Sequence, residues 1–362
     1  MLTIKSPEVY IHETNALQRA GELAVRLGRK AYLIGGVTAL SKVEKILLES
    51  LAAAGITVIT EPFRGEASRT NIELFTQRAR LHRPDFLIGA GGGRVLDLVK
   101  AVGERANLPV VAVPTVAATC AAWSALSILY DEEGRSDGAI TLKASPVIVL
   151  ADAAVLADSP KRYLASGIGD TLVKWYEVAI NLREGDGALD LRLGLQPAKL
   201  ALEVLEQYGP EVYRGTLDSG PDKAFHEVVD AIIALTGLAG SVGGPQGRTI
   251  VAHAVHDSLT FLPETHDTLH GEKIAFCLLV QSILEGRRDT EDIAAVLHQY
   301  DLPLTLHGLG IRENIDAKIS LIAEGTRIVP PAAGLAFPVD PLALAKAIAA
   351  ADVLGQTFLT TY

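Results

Sequence analysis

The chain is poor in thiols: among 362 residues only Cys120 and Cys277 are cysteines. They form neither a C-x-x-C pair nor a framework, which excludes a disulfide-stapled secreted scaffold and points to a reducing cytoplasm. Positive charge is also short. Against 43 aspartates and glutamates stand 33 lysines and arginines, a net charge of −10. That balance speaks against nucleic acid and anionic membrane as partners. The opening MLTIKSPEVYIHETNALQRA lacks the basic and apolar regions of a signal peptide. Long hydrophobic runs are scarce as well: LPVVAVPTVAATCAAW is interrupted by Pro114 and two threonines and is too short for a membrane span. No internal repeat and no low-complexity tract is visible. The expectation is a soluble cytoplasmic protein acting on small molecules.

What is present is globular: 49% of the residues are hydrophobic, and the length suggests about two domains. The first half alternates β-branched runs with amphipathic helical patterns. Residues 31–36, 56–63, 86–93, 110–115 and 146–150 read as buried strands, and 39–54, 68–81 and 95–106 as helices. This rhythm implies an α/β domain with a parallel sheet covered on both faces, over residues 1–155. Residues 124–143 read as a hairpin. Beyond them helical patterns dominate, punctuated at GPEVYRG, GPDK, GGPQG and VPPAAG, so residues 156–362 read as an all-α domain with a ligand cleft against the first.

Two local patterns carry chemistry. Residues 251–273 hold four of the nine histidines, His253, His256, His266 and His270. His253 and His256 share a helix face, Pro263 breaks the stretch, and His270 opens a new helix, so imidazoles from two helices can converge on one ion. Surface and core histidines are the alternative. The second pattern is Gly89-Ala90-Gly91-Gly92-Gly93-Arg94, between a strand and the helix VLDLVKAVGE. Glycines let backbone amides approach a pyrophosphate at a helix N-terminus. The usual dinucleotide fingerprint follows the first strand instead, so a different nucleotide-binding arrangement is expected.

The stretches GAGGGRVLDLVKA (89–101), PTVAATCAAWSALSILY (114–130), GIGDTLVKWYE (167–177), AHAVHDSLT (252–260) and LHGEKIAFCLLVQ (269–281) together resemble the iron-containing alcohol dehydrogenase superfamily, in its glycerol dehydrogenase branch. The wording ATCAAW and GDT-x-x-KWYE is most similar to bacterial hydroxycarboxylate dehydrogenases of that family. The resemblance implies a Rossmann-like nucleotide-binding domain, a helical metal-binding domain, a nicotinamide cofactor and homo-oligomers. It puts a divalent metal, zinc or iron(II), on Asp170, His253 and His270. It puts the cofactor on Gly92, Gly93, Arg94, Asp97, Thr115, Ala118, Ser124, Leu126 and Tyr130. His256 is expected to relay a proton or to support a ligand, with helix packing as the alternative. For Asp97 the alternatives are a place near the nicotinamide and an early-helix carboxylate. His266 is expected at the surface.

Two departures stand out. Where glycerol dehydrogenases carry a ribose-binding aspartate after the first strand, this chain has Gly36, so NADP is expected to be accepted beside NAD. Where they read S-T-D in the substrate pocket, this chain has Ala118-Thr119-Cys120, which removes a carboxylate that would repel an anionic substrate. Cys120 has no thiolate-stabilising base beside it in sequence and is read as a pocket wall rather than a nucleophile. Trp123 is either a second wall or a core indole. Lys174 either meets a substrate carboxylate or pairs with Asp170 one turn earlier. The expected activity is hydride transfer between NAD(P)H and a 2-oxo acid. The alternatives are glycerol or a vicinal diol as substrate, and a dehydroquinate-synthase-like lyase that recycles NAD.

Overall fold

The computed structural model describes residues 3–180, 189–215, 220–242, 250–328 and 335–361. Its described strands all precede residue 153: β1 (Val9–Glu13), β2 (Lys30–Gly36), β3 (Thr57–Phe63), β4 (Phe86–Gly91), β5 (Val110–Pro114), β6 (Leu126–Tyr130), β7 (Ser136–Thr141) and β8 (Ile148–Asp152). Six of them form one parallel sheet in the order β1-β8-β5-β4-β2-β3, and β6 and β7 form the expected hairpin. Strand β1 is an addition to the sequence reading. It is five half-buried residues at the sheet edge, paired with a strand from the far end of this half, so no local pattern announces it.

Helices α1 (Ala20–Ala24), α2 (Val37–Ala53), α3 (Arg69–His82) and α4 (Gly93–Ala106) alternate with the strands. Side-chain alternation along each strand sorts them onto two faces. Leu40, Val43 and Leu47 of α2 pack with Leu33, Ile88 and Val111 on one face. Ile72 of α3 and Leu98 and Val99 of α4 pack with Tyr32, Ile34 and Leu87 on the other. The chain leaves β2 toward β3 on one side and returns to β4 on the other. Between the carboxyl ends of β2 and β4 the direction of winding reverses, the position where open parallel sheets hold their ligands. Gly36 and the triple glycine border that crevice.

The second half is helical in its described residues: α5 (Ala153–Ala157), α6 (Lys161–Ile180), α7 (Leu189–Arg214), α8 (Lys223–Asp230), α9 (Thr236–Val242), α10 (Ala252–Leu259), α11 (His270–Leu284), α12 (Thr290–His298), α13 (Ile315–Gly325) and α14 (Pro341–Thr361). A π-turn, Ala231–Leu235, joins α8 to α9. Gly209-Pro210, read as punctuation, lies inside α7. Gly209 is there for packing, since a Cβ would stand 2.4 Å from Tyr300 Oη. GGPQG and VPPAAG lie outside the described residues, and GPDK leads into α8 as expected. Two runs not singled out from sequence, Lys223–Val242 and Pro341–Thr360, match a membrane span by length and apolarity alone. The first contributes Phe225, Val228, Ile232 and Ile233 to the main core. That core also takes in Leu96, Ala112 and Val149 of the sheet half, so the two halves are packed together.

Close helix contacts place the chemistry. A Cβ on Gly271 would lie 1.8 Å from the Ser166 carbonyl oxygen, and one on Gly169 would lie 2.9 Å from that of Gly271. Glycine at both positions lets α6 and α11 touch backbone to backbone, which brings Asp170 to His270. Gly167 likewise lets the Ala117 carbonyl approach, 2.1 Å from where its Cβ would be, and so seats the segment carrying Cys120 against α6.

Candidate active site

Asp170 on α6, His253 on α10 and His270 at the start of α11 converge, their ligand atoms all within 4.8 Å of one another. His253 Nε2 is 3.8 Å and His270 Nε2 3.5 Å from Asp170 Oδ1. Two carboxylates set the tautomers, because a carboxylate only accepts. Glu177 Oε2 takes the His253 Nδ1–H at 2.5 Å, so His253 Nε2 presents a lone pair. Asp257 Oδ1 takes the His256 Nδ1–H at 3.2 Å, leaving His256 Nε2 to accept from His270 Nδ1–H at 2.9 Å. His270 Nε2 therefore presents a lone pair as well. Two ring nitrogens and a carboxylate thus converge, with the Lys174 ammonium donating to one of the nitrogens, His253 Nε2, at 3.0 Å. Asp170 Oδ1 is buried and receives no directed hydrogen bond. This donor set fits a divalent ion with imidazoles backed by outer carboxylates.

Burial would lower His253, but Glu177 and Asp170 push it up. Burial alone would raise the Asp170 carboxyl, but Lys174, His253 and His270 hold it well below the usual range. Burial pushes His270 down, and it pushes His256 down to about 3 with the help of His270. Both ring nitrogens of His256 are engaged. Of the roles expected for His256, its bond to His270 Nδ1 fits support of a ligand. His266 is exposed and bonds the Thr260 carbonyl at 3.0 Å. Glu177 went unrecognised in the sequence, although it lies inside the quoted KWYE. The available signal was the spacing of Asp170, Lys174 and Glu177, which sets three charges on one face of a largely buried helix.

Lys174 pairs with Asp170 Oδ1 at 3.0 Å and donates to His253 Nε2 at 3.0 Å. Burial pushes the Cys120 thiol up, and Lys174, Asp170 and Lys100 are charges within range of it. A raised thiol is a poor nucleophile, in keeping with a wall role. Trp123 stands over α9, where a Cβ on Gly237 would come within 2.4 Å of it, and packs edge-on against Tyr10. It is a packing indole behind the Cys120 segment.

At the crevice end, Gly92 caps α4 with no side chain of its own, leaving the first amides of α4 without a side-chain acceptor from that cap. A Cβ on Gly92 would meet Val116 at 3.2 Å, and one on Gly91 would meet Val95 at 2.9 Å, so the turn needs its glycines. Gly93 opens α4. Arg94 is exposed and pairs with Glu66 at 2.6 Å. Thr115 follows β5, its amide bonded to the Gly91 carbonyl, and Ala118 lies three residues on in the same connection. Asp97 lies on α4. It pairs with buried Lys100 at 2.9 Å and accepts from the Ile128 amide. Lys100 in turn donates to the Ser124 carbonyl and hydroxyl and to the Leu126 carbonyl. The pair thus anchors the strand that carries Leu126 and Tyr130. Burial, then the charges of Asp257 and Asp97, pushes the Tyr130 phenol up.

The sequence model of the iron-containing alcohol dehydrogenase family matches residues 7–153. The chain is 33% identical to a glycerol dehydrogenase of Escherichia coli over 98% of both chains. It is 37% identical to hydroxycarboxylate dehydrogenase A of Escherichia coli K12 over 73% of both. The crystal structure of a probable glycerol dehydrogenase from Sinorhizobium meliloti superposes with a TM-score of 0.88 at 28% identity, covering 99% of this chain and 100% of that one. With its sheet half, its helical half and its convergent carboxylate and imidazoles, the chain belongs to the iron-containing alcohol dehydrogenase family, in the glycerol dehydrogenase-like branch, and is a nicotinamide-dependent oxidoreductase acting on CH–OH groups.

Proposed function

We propose that the chain interconverts a short 2-hydroxy acid and its 2-oxo acid: 2-oxo acid, NAD(P)H and a proton give 2-hydroxy acid and NAD(P)+. The observation that carries this reading is Cys120, a neutral thiol beside Asp170 and Lys174 where the resemblance leads one to expect a carboxylate. A carboxylate there would repel an anionic substrate; a thiol does not. The likeness to a hydroxycarboxylate dehydrogenase supports it. Residues 1–155 would hold the cofactor and residues 156–362 the metal. Asp170, His253 and His270 would hold a zinc or iron(II) ion, which when bound supplies Lewis acidity toward the substrate oxygen. Gly92, Gly93 and the N-terminus of α4 would take the pyrophosphate, and Arg94 would reach it on release from Glu66. Thr115, Ala118, Ser124, Leu126 and Tyr130 would border the rest of the cofactor. With His256 occupied, water is left to exchange the alcohol proton. On this reading the enzyme works in the cytoplasm as a homo-oligomer.

The test is a panel of 2-oxo acids and diols, run on metal-loaded enzyme with both cofactors. Reduction of 2-oxobutyrate or 2-oxoglutarate should exceed oxidation of glycerol in kcat/KM. The reverse ranking would favour glycerol or a vicinal diol, the reading supported by the glycerol dehydrogenase names of full-length relatives. Net conversion of cofactor in the same assay separates a dehydrogenase from a lyase that recycles NAD.

Gly36 supports use of NADP. It caps α2 without a side-chain bond, and a Cβ there would clear its nearest neighbour, Val95, by 3.5 Å. Aspartate therefore fits, can accept from ribose hydroxyls, repels a 2′-phosphate and caps the helix. Gly36→Asp should raise the NAD over NADP ratio of kcat/KM by about tenfold or more, about 1.4 kcal/mol. An unchanged ratio would remove Gly36 from cofactor choice.

A further inference from the structure

Resting on the 2-oxo acid reading, we infer that Lys174 is the specificity-determining residue for the substrate carboxylate, and that it favours 2-oxo acids over uncharged ketones and over 3-oxo acids.

The geometry points there. Asp170 Oδ1 lies 3.5 and 3.8 Å from the two imidazole nitrogens, and Lys174 Nζ lies 3.0 Å from Asp170 Oδ1 and 3.0 Å from His253 Nε2. An ammonium at those distances stands beside two of the three donors, so a substrate whose oxygen approaches the donor set meets it directly.

Lys174 suits an anion for three further reasons. Its side chain is only 17% exposed, so its charge is little screened by solvent. The residue beside it, Cys120, is neutral. Of its three N–H groups, one meets His253 and the ion pair with Asp170 is off-axis, so among the described residues at least one N–H has no directed acceptor. In a 2-oxo acid the carboxylate is bonded to the carbonyl carbon. With its carbonyl oxygen toward the donor set, a carboxylate oxygen falls next to that oxygen, within reach of the ammonium. A 3-oxo acid holds its carboxylate one carbon further off. An uncharged ketone offers the buried ammonium no anionic partner beyond Asp170, and a site with a buried polar group discriminates against an analogue that lacks the matching group.

The test compares 2-oxobutyrate with 1-hydroxy-2-butanone, which replaces the carboxylate by an uncharged CH2OH. For Lys174→Met, the ratio of kcat/KM for the acid to that for the ketone should fall about 30-fold, chiefly through KM for the acid. Lys174→Arg, which keeps the charge, should recover most of the ratio. Metal content of each variant is measured by elemental analysis; if the methionine variant binds metal poorly, Lys174→Gln takes its place. An unchanged ratio in an enzyme whose wild type reduces 2-oxobutyrate would overturn the role of Lys174 and leave the proposed function standing. A wild type that does not reduce 2-oxobutyrate would overturn the proposed function, and this inference with it.

Discussion

Asp170→Asn should lower kcat/KM by roughly 10³-fold or more, with purified protein that no longer holds stoichiometric divalent metal. Asp170 is the one carboxylate whose oxygen stands among the two imidazole lone pairs, and its side chain is only 4% exposed. Asparagine keeps the shape, so the close packing of α6 against α11 at Gly169 and Gly271 survives. What it removes is the charge that opposes buried Lys174 and completes the donor set. Lone pairs on His253 and His270 remain, but two neutral nitrogens hold a divalent ion far less well than two nitrogens and a carboxylate. The measurements are steady-state kinetics on the preferred substrate and elemental analysis of the purified variant, with a thermal melt to verify folding. A folded asparagine variant within tenfold of wild-type activity would remove Asp170 from the chemistry.

Most of the sheet half was legible because β2, β3 and β4 are short runs each followed by a helix of matching period, and β5 is a short apolar run. Strand β1 was not, since its partner is β8, more than a hundred residues on. The triple glycine revealed a turn, and packing of Val95 and Val116 against it shows why glycine is required. The histidines could be sorted only in part. Helical spacing put His253 and His256 on one face, but spacing cannot say that His270 covers that face and takes up His256 Nε2. Asp170 has no pattern of its own in sequence; the resemblance supplied it. The structure adds why it is where it is, through the close packing that glycines at 167, 169 and 271 allow. Gly209-Pro210 shows the same limit from the other side, since a tertiary contact with Tyr300 overrides the local tendency to end a helix.

Glu177 was the least legible residue and carries a prediction nearly as large as that for Asp170. Its side chain is 1% exposed, and its carboxylate accepts from three groups: His253 Nδ1–H at 2.5 Å, the His253 amide at 3.1 Å and the Ile250 amide at 3.1 Å. Burial would raise its pKa, but His253 and Lys174 hold it below the usual carboxylate value, so it is ionised. Glu177→Ala leaves three buried donors without that acceptor. At about 1–3 kcal/mol for each unsatisfied group, partly recovered by entering water, about 3 kcal/mol of stability should be lost. Glu177→Gln separates the two tasks. Its amide oxygen still accepts a hydrogen bond, so less stability is lost than in the alanine variant. It no longer draws the His253 proton firmly to Nδ1, and a proton on Nε2 would cover the lone pair that faces Asp170. Metal affinity should fall about 10- to 100-fold in the glutamine variant. Denaturant unfolding of the metal-free proteins reads the first effect, and competition for zinc against a chromophoric chelator reads the second. A glutamine variant with wild-type zinc affinity would show that Glu177 only secures the backbone at 250–253 and does not set the state of His253.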